Sequence, residues 1–212
     1  MTVHWVSLPS GILECVGTVI WSEDSRRAVL IDPTDEPETF LEFLADKQLV
    51  LSHLLLTHAH FDHAMGAAEV AAVTGCTPRL HPGDWPLFEH IPQMARRFGL
   101  ELEPQEVPLV ELSDGEILEV EPGFRLQVSH CPGHTPGHVT FYVAELDLAV
   151  VGDTLFMGSV GRTDLPGGDS ATLVRAIKEK LYVLPDGTRV IPGHGPATTI
   201  GREKRENPFV RA

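Results

Sequence analysis

The segment from Thr57 to His63 concentrates side chains that bind metal ions. It contains three histidines, His58, His60 and His63, together with Asp62. Neutral imidazole and carboxylate groups suit zinc, iron and manganese. Side chains alternate along an extended segment, so His58 and His60 point the same way and can bind one metal ion. If the chain then turns into a helix, Asp62 and His63 face a second position close by.

Three further candidate ligands follow strands that apolar runs predict. His134 comes after the run at residues 124–128, Asp153 after 148–151, and His194 after 189–191. Together with the strand before the histidine segment, four apolar strands end in a metal-type ligand at their C-terminal ends. Sites in layered α/β folds gather at such an edge, where loops converge without disturbing the core. We therefore expect these side chains to meet.

These seven side chains form two ligand sets. His58, His60 and His134 are assigned to a first metal, Asp62, His63 and His194 to a second, and Asp153 to both. Each metal then lacks one or two ligands, which is the open coordination of a catalytic site.

The other histidines lie outside this pattern. We expect them to be surface residues, packed residues or hydrogen-bonding supports; they are His4, His53, His81, His90, His130 and His138. Asp32 follows another predicted strand. We expect Asp32 to orient the histidine segment by hydrogen bonding, and a turn or helix-capping role is equally open.

The strands that must position the ligands occur in two clusters, with helices between them. The predicted strands are 2–8, 15–22, 28–31, 54–56, 79–80, three within 107–128, 139–144, 148–151 and 189–191. The predicted helices are 37–44, 65–73, 85–98 with interruptions at Pro86 and Pro92, 172–181 and 202–212. Two sheets packed on each other, with helices outside, fit this order.

Charge and composition exclude several partners. A formal net charge of −14 argues against a nucleic-acid partner, because phosphate binding needs a basic surface. No apolar run approaches the roughly 18 residues of a membrane span, and residues 1–10 do not have the pattern of a signal peptide. The 3 cysteines are widely spaced and odd in number, which indicates a reducing compartment and a cytoplasmic location. The assembly stays open between a monomer and a small homo-oligomer.

The motif HxHxDH at residues 58–63, followed by His134, Asp153 and His194, resembles the metallo-β-lactamase superfamily. The resemblance covers nearly the whole chain and implies an α/β fold, an αββα four-layer sandwich. Its two mixed sheets are expected to carry helices on their outer faces and metals at one edge. It also implies a single domain over residues 1–212.

Further motifs narrow the resemblance. Residues 131–138 (CPGHTPGH), 152–156 (GDTLF) and 161–164 (GRTD) are similar to the glyoxalase II-like hydrolases. Residues 192–196 (PGHGP) and 206–209 (ENPF) resemble the short bacterial members of that group. The implied cofactor is a pair of divalent metal ions, with zinc the first choice and iron or manganese open.

The resemblance implies hydrolysis of a thioester, S-D-lactoylglutathione or a related acyl thioester. Two metals about 3.5–4 Å apart can share a water molecule and lower its pKa to about 7. Asp62 and Asp153 are expected to hold the resulting bridging hydroxide. A thiolate leaves without obligatory protonation because thiol pKa values lie near about 8.5.

The substrate is expected to be a small-molecule thioester, with glutathione recognition open. Glyoxalase II proper holds glutathione partly with a C-terminal helical domain, and we expect this chain to lack it. Arg162 stands where the family has a lysine, so Arg162 and Gly161 are candidate substrate-binding residues. The alternative is that Arg162 pairs with Asp164 or Asp169 as a structural arginine.

Other activities stay open. Residues 161–164 also resemble the persulfide dioxygenases, which use one iron ion, and lactone or ester hydrolysis is compatible with the same site. β-Lactam hydrolysis is less favoured because a common zinc β-lactamase has a cysteine where Asp153 stands. A non-enzymatic scaffold is disfavoured because the ligand set is intact.

Overall fold

The computed structural model describes residues 2–102 and 104–211. The chain divides into two compact units, one ending at Leu112 and the other beginning at Ser113. Each unit contains one six-stranded mixed sheet and its own helices. The expected single domain over 1–212 stays a prediction.

The first unit is built on a sheet with the order β1-β2-β3-β4-β5-β6. Its strands are β1 Val3–Ser10, β2 Cys15–Ser22, β3 Arg27–Ile31, β4 Val50–Leu55, β5 Pro78–Leu80 and β6 Val110–Glu111. The first three strands pair antiparallel, whereas β3 to β6 pair parallel. The C-terminal ends of β3 and β4 therefore lie side by side, with Ile31 opposite Leu55. Asp32 and the histidine segment both leave the sheet at this edge.

The helices of the first unit follow from apolar periodicity and from local breakers. They are α1 Glu38–Asp46, α2 Phe61–Ala64, α3 Ala67–Thr74, α4 Trp85–Glu89 and α5 Ile91–Arg96. Helix α3 ends at Gly75, whose φ of 73° is the left-handed conformation typical of a helix C-terminus. The predicted helix at 85–98 is two helices, because Pro86 and Pro92 each lie in a first turn, where proline is tolerated.

Phe40 of α1 packs directly beneath the edge that carries Asp32. Phe40 is fully buried. A Cβ atom at Gly17 would lie 2.2 Å from Phe40 Cζ and 2.5 Å from the carbonyl oxygen of Asp32. Only glycine at position 17 lets the ring approach the β2–β3 pair this closely.

The second unit is built on a sheet with the order β14-β13-β10-β9-β8-β7. Its strands are β7 Ile117–Glu121, β8 Phe124–His130, β9 Val139–Val143, β10 Leu148–Gly152, β13 Arg189–Pro192 and β14 Thr198–Thr199. A separate two-stranded ribbon consists of β11 Leu155–Phe156 and β12 Ser159–Val160. Strands β10 and β13 are parallel, with Gly152 opposite Pro192. The residues that follow them, Asp153 and Gly193-His194, therefore emerge together.

Helix α6 Ser170–Ala176 continues into a π-helical turn, Ile177–Leu181. The side chain of Asp169 caps α6 by accepting from the amide of Thr172 at 2.6 Å. Leu173, Ile177 and Leu181 pack into the apolar cluster of this unit.

The C-terminal segment differs from the prediction of a helix over 202–212. Helix α7 runs Ile200–Glu206, and its first turn is capped by Thr199, whose hydroxyl accepts from the Arg202 amide at 3.3 Å. The helix ends at Asn207 because Pro208 disfavours the helical conformation in the residue before it. Within the described residues, no helix has the length and apolar character needed to cross a membrane.

Replacing Phe40 by alanine should lower the free energy of unfolding by about 3–5 kcal/mol, because a fully buried ring is removed. Val73→Ala, at an exposed site of the same unit, should change it by less than about 0.5 kcal/mol. Chemical denaturation followed by circular dichroism measures both values. Equal effects of the two substitutions would contradict the packing described for Phe40.

Candidate metal centre

The histidine segment joins β4 to α2. His58 and His63 are fully buried, Asp62 is buried and His60 is half-buried. His60 has an extended conformation (φ −67°, ψ 148°) and α2 begins at the next residue. The expected change from extended chain to helix is therefore confirmed. Asp62 and His63 therefore lie on the helix, whereas His58 and His60 precede it.

His58 and His60 offer two ring nitrogens to one position. His58 Nε2 and His60 Nδ1 lie 3.1 Å apart. Two nitrogens bound to one tetrahedral zinc ion at about 2.0–2.1 Å are separated by about 3.3 Å. The spacing therefore fits a shared cation.

A hydrogen-bond chain sets the tautomer of His58. The hydroxyl of Thr57 donates to Asp32 Oδ2 at 2.6 Å, so its oxygen accepts from Nδ1–H of His58 at 3.0 Å. The lone pair of His58 is then on Nε2, the atom that faces His60. The donor chemistry of this pair fits a divalent metal ion.

Asp32 organises the segment, as expected from the sequence. Its Oδ1 accepts from the Thr57 amide at 2.7 Å, and its Oδ2 accepts from Nδ1 of His63 at 2.9 Å. This bond leaves Nε2 of His63 to act as a ligand, and that atom lies 3.8 Å from Asp62 Oδ2. Asp32 adopts a left-handed φ of 55°, and its amide donates to the Leu55 carbonyl at 2.9 Å.

Two supporting residues of the first unit were missed by sequence reasoning. Asp84, which is fully buried, accepts from the amide of Ala59 at 3.1 Å. Cys15, the first residue of β2, is also fully buried, and its sulfur lies within 4.8 Å of a ring nitrogen of His63. Burial raises the pKa of the Cys15 thiol to about 12, and the electrostatic effect of the neighbouring His63 opposes this shift only in part. Neither residue belongs to a motif that the sequence would single out.

The second unit places a carboxylate between two histidines. Asp153 Oδ2 lies 3.5 Å from Nε2 of His134 and 3.8 Å from Nε2 of His194. His134 and Asp153 are buried, and His194 is half-buried. These separations are longer than a good hydrogen bond but fit ligands on common cations.

Main-chain contacts orient His134 and Asp153. Nδ1 of His134 donates to the carbonyl of Arg162 at 2.8 Å, so Nε2 carries the lone pair. Nε2 of His138 accepts from the amide of Asp153 at 3.0 Å, which confirms a supporting role for this histidine. A Cβ atom at Gly161 would lie 1.9 Å from the Asp153 carbonyl oxygen, so only glycine fits there.

The side chain of Arg162 lies on the surface and forms a bidentate ion pair with Asp164. Both nitrogen–oxygen distances are 2.7 Å. The Arg162 guanidinium holds the pKa of the Asp164 carboxyl at about 2. The structure thus contains the pairing expected as the alternative, and substrate binding by Arg162 and Gly161 stays a prediction.

Within each unit, the structure brings the predicted ligands together. His58, His60, Asp62 and His63 cluster in the first unit, and His134, Asp153 and His194 cluster in the second. The sharing of two metals between these clusters stays a prediction.

Comparison with known proteins places the chain in a family. The profile of the metallo-β-lactamase superfamily matches residues 12–194. The chain belongs to the metallo-β-lactamase superfamily. Its two mixed sheets with helices have the α/β sandwich fold of that superfamily, so the expected fold class is confirmed.

Among proteins similar to this chain is the hydroxyacylglutathione hydrolase GloC of Haemophilus influenzae, 42% identical over 92% of each chain. The crystal structure of TTHA1623 in a di-iron-bound form is similar with a TM-score of 0.88 and 43% identity, covering 97% of this chain and 100% of that one. The structure of BLEG-1, a B3 metallo-β-lactamase, is similar with a TM-score of 0.88 and 34% identity, covering 99% and 100%. The chain is a metal-dependent hydrolase.

Asp32→Asn should weaken metal binding by about 10–100-fold, because an amide cannot accept all three hydrogen bonds of the carboxylate. Competition with a chromogenic chelator measures the affinity. The exposed Asp46→Asn is the matched control and should bind metal as the unmodified protein does. Unchanged affinity in Asp32→Asn would show that Asp32 does not orient the ligands.

Gly161→Ala should also weaken metal binding by about 10–100-fold, since the new methyl group displaces the Asp153 main chain. It should lower the free energy of unfolding by about 1–3 kcal/mol as well. Gly187→Ala is the control, because a Cβ atom there meets no atom within 4 Å and Gly187 has no positive φ. If both alanine variants bind metal equally well, the close approach at Gly161 has no functional importance.

Proposed function

We propose that this protein hydrolyses a small-molecule acyl thioester, S-D-lactoylglutathione or a close relative. The observation that carries the proposal is the pair of ligand clusters in which His58, His63 and His134 are buried and held in tautomers that present a ring nitrogen. The similarity to a hydroxyacylglutathione hydrolase over 92% of each chain supports the choice of substrate class.

The proposed metal assignment uses both clusters. His58, His60 and His134 would hold one divalent ion, Asp62, His63 and His194 a second, and Asp153 would contact both. When bound, the two ions supply Lewis acidity to the carbonyl oxygen and lower the pKa of a water molecule. Zinc is the first candidate, and it binds imidazole and carboxylate ligands such as these. The di-iron form of a similar protein supports iron as the second, and manganese is the third.

The side chains of the two clusters then have distinct tasks. Asp62 and Asp153 accept hydrogen bonds from the attacking water and orient it towards the thioester carbonyl carbon. Asp32 and the Arg162 carbonyl keep the imidazoles from rotating as charge develops. No protein acid is needed for the leaving group, because a thiolate departs as the anion.

The surface around Arg162 is the proposed substrate contact. With a net charge of −14, the protein can attract an anionic substrate only through local cations. The Arg162 guanidinium is exposed, and its partner Asp164 is exposed as well. A substrate carboxylate can therefore exchange with Asp164 on the guanidinium. Gly161 contributes main chain beside this position.

The proposed cellular setting follows from the thiols and the charge. Cys15, Cys76 and Cys131 are all free thiols, which suits the reducing cytoplasm. We propose a cytoplasmic enzyme, monomeric or a small homo-oligomer, that acts on a soluble metabolite and has no nucleic-acid or membrane partner.

The test is a substrate panel on purified protein with its metals counted. The panel contains S-D-lactoylglutathione, an acyl thioester without glutathione, a lactone and a β-lactam. We expect thiol release from the first two compounds and two metal ions per chain. His58→Ala and Asp153→Ala should lose metal and activity together, whereas the control His4→Ala at the surface should retain both. Full activity in His58→Ala or Asp153→Ala would contradict the assignment.

β-Lactam hydrolysis is the second candidate, because a similar solved structure is that of a B3 metallo-β-lactamase at 34% identity. Cleavage of the β-lactam alone would replace the thioester proposal. Oxygen consumption with a glutathione persulfide, together with one iron ion per chain, would instead establish the dioxygenase alternative.

A further inference from the structure

A buried thiol lies beside the ligand pair of the first unit. Cys15 Sγ, a carboxylate oxygen of Asp62 and a ring nitrogen of His63 all lie within 4.8 Å of one another. All three residues are buried, and Cys15 and His63 have no exposed surface. Thiolate, imidazole and carboxylate are each metal ligands, so the trio has the composition of a binding site.

Most buried cysteines behave as small apolar residues, and Cys131 is an example. Cys131 packs in the apolar cluster of the second unit, and its sulfur lies 3.7 Å from the Thr140 hydroxyl. The sulfur of Cys15 instead lies within 4.8 Å of a ring nitrogen of His63, and Nδ1 of the same ring is held by Asp32 at 2.9 Å. The bond to Asp32 fixes the His63 ring, so the ring nitrogen stays close to the sulfur.

We propose that Cys15 is a thiolate ligand of the metal ion held by Asp62 and His63. This inference rests on the metal centre of the proposed function and adds a protein ligand to it. On binding, the S–H bond breaks, a sulfur–metal bond forms, and the proton leaves to solvent without any change of oxidation state.

A thiolate changes which metals this position prefers. Soft sulfur ligands favour zinc and iron, whereas manganese and magnesium prefer oxygen. Cys15 therefore selects against the hard cations that Asp62 alone would accept. Loss of the sulfur should lower the preference for zinc over manganese by about tenfold or more.

X-ray absorption at the zinc edge tests the inference in the zinc-loaded full chain. The unmodified protein should show a sulfur neighbour at about 2.3 Å from zinc. The cobalt-substituted protein should show thiolate-to-cobalt charge-transfer absorption in the near ultraviolet. Both signals should vanish in Cys15→Ser and in Cys15→Ala.

Cys76→Ser and Cys131→Ser are the matched controls, and both should retain the sulfur signals. The measurement on the unmodified protein decides the question even if the Cys15 variants fold poorly. Absence of a sulfur neighbour in the unmodified protein, or its persistence in Cys15→Ser, would overturn the inference.

The proposed function and the proposed role of Cys15 can be refuted independently of each other. Two bound metals and thioester hydrolysis without a sulfur neighbour would refute only the role of Cys15. A sulfur neighbour in a metal-loaded protein that does not cleave thioesters would refute only the substrate proposal. A protein that binds no metal would refute both.

Discussion

The geometry of the first ligand cluster depends on one buried carboxylate. Asp32 accepts from the Thr57 amide, the Thr57 hydroxyl and the His63 ring, and through the hydroxyl it also determines the tautomer of His58. An imidazole that is free to rotate loses entropy when it binds a metal, whereas these rings are already oriented. The backbone of Asp32 is left-handed, and its amide donates to the carbonyl of Leu55 on the neighbouring strand.

In the second unit, main-chain groups take the part that a carboxylate has in the first unit and orient the candidate ligands. The Arg162 carbonyl fixes His134, and the Asp153 amide is held by His138. Parallel pairing of β10 with β13 places Asp153 and His194 at neighbouring strand ends. The two units thus use different chemistry for one purpose, which is to present nitrogen lone pairs and carboxylate oxygens from buried positions.

The clustering of the candidate ligands within each unit could be predicted because they follow apolar strands, four of them in a compact motif with a distinctive spacing. Asp32 was also recognisable, since it terminates a strand adjacent to the one that carries the motif. Asp84 and Cys15 were not, because their contacts join segments distant in sequence and only the folded chain shows them. The ribbon β11–β12 escaped prediction because strands of two residues have no measurable periodicity.

His134 is held by the main chain of Arg162, whereas the side chain of Arg162 lies at the surface. Any amino acid at position 162 supplies the same carbonyl, so the identity of its side chain has no direct effect on how His134 is held. The exposed arginine can therefore be exchanged during divergence while the imidazole keeps its orientation. Sequence variation at this surface position is therefore compatible with an unchanged environment of the His134 ring.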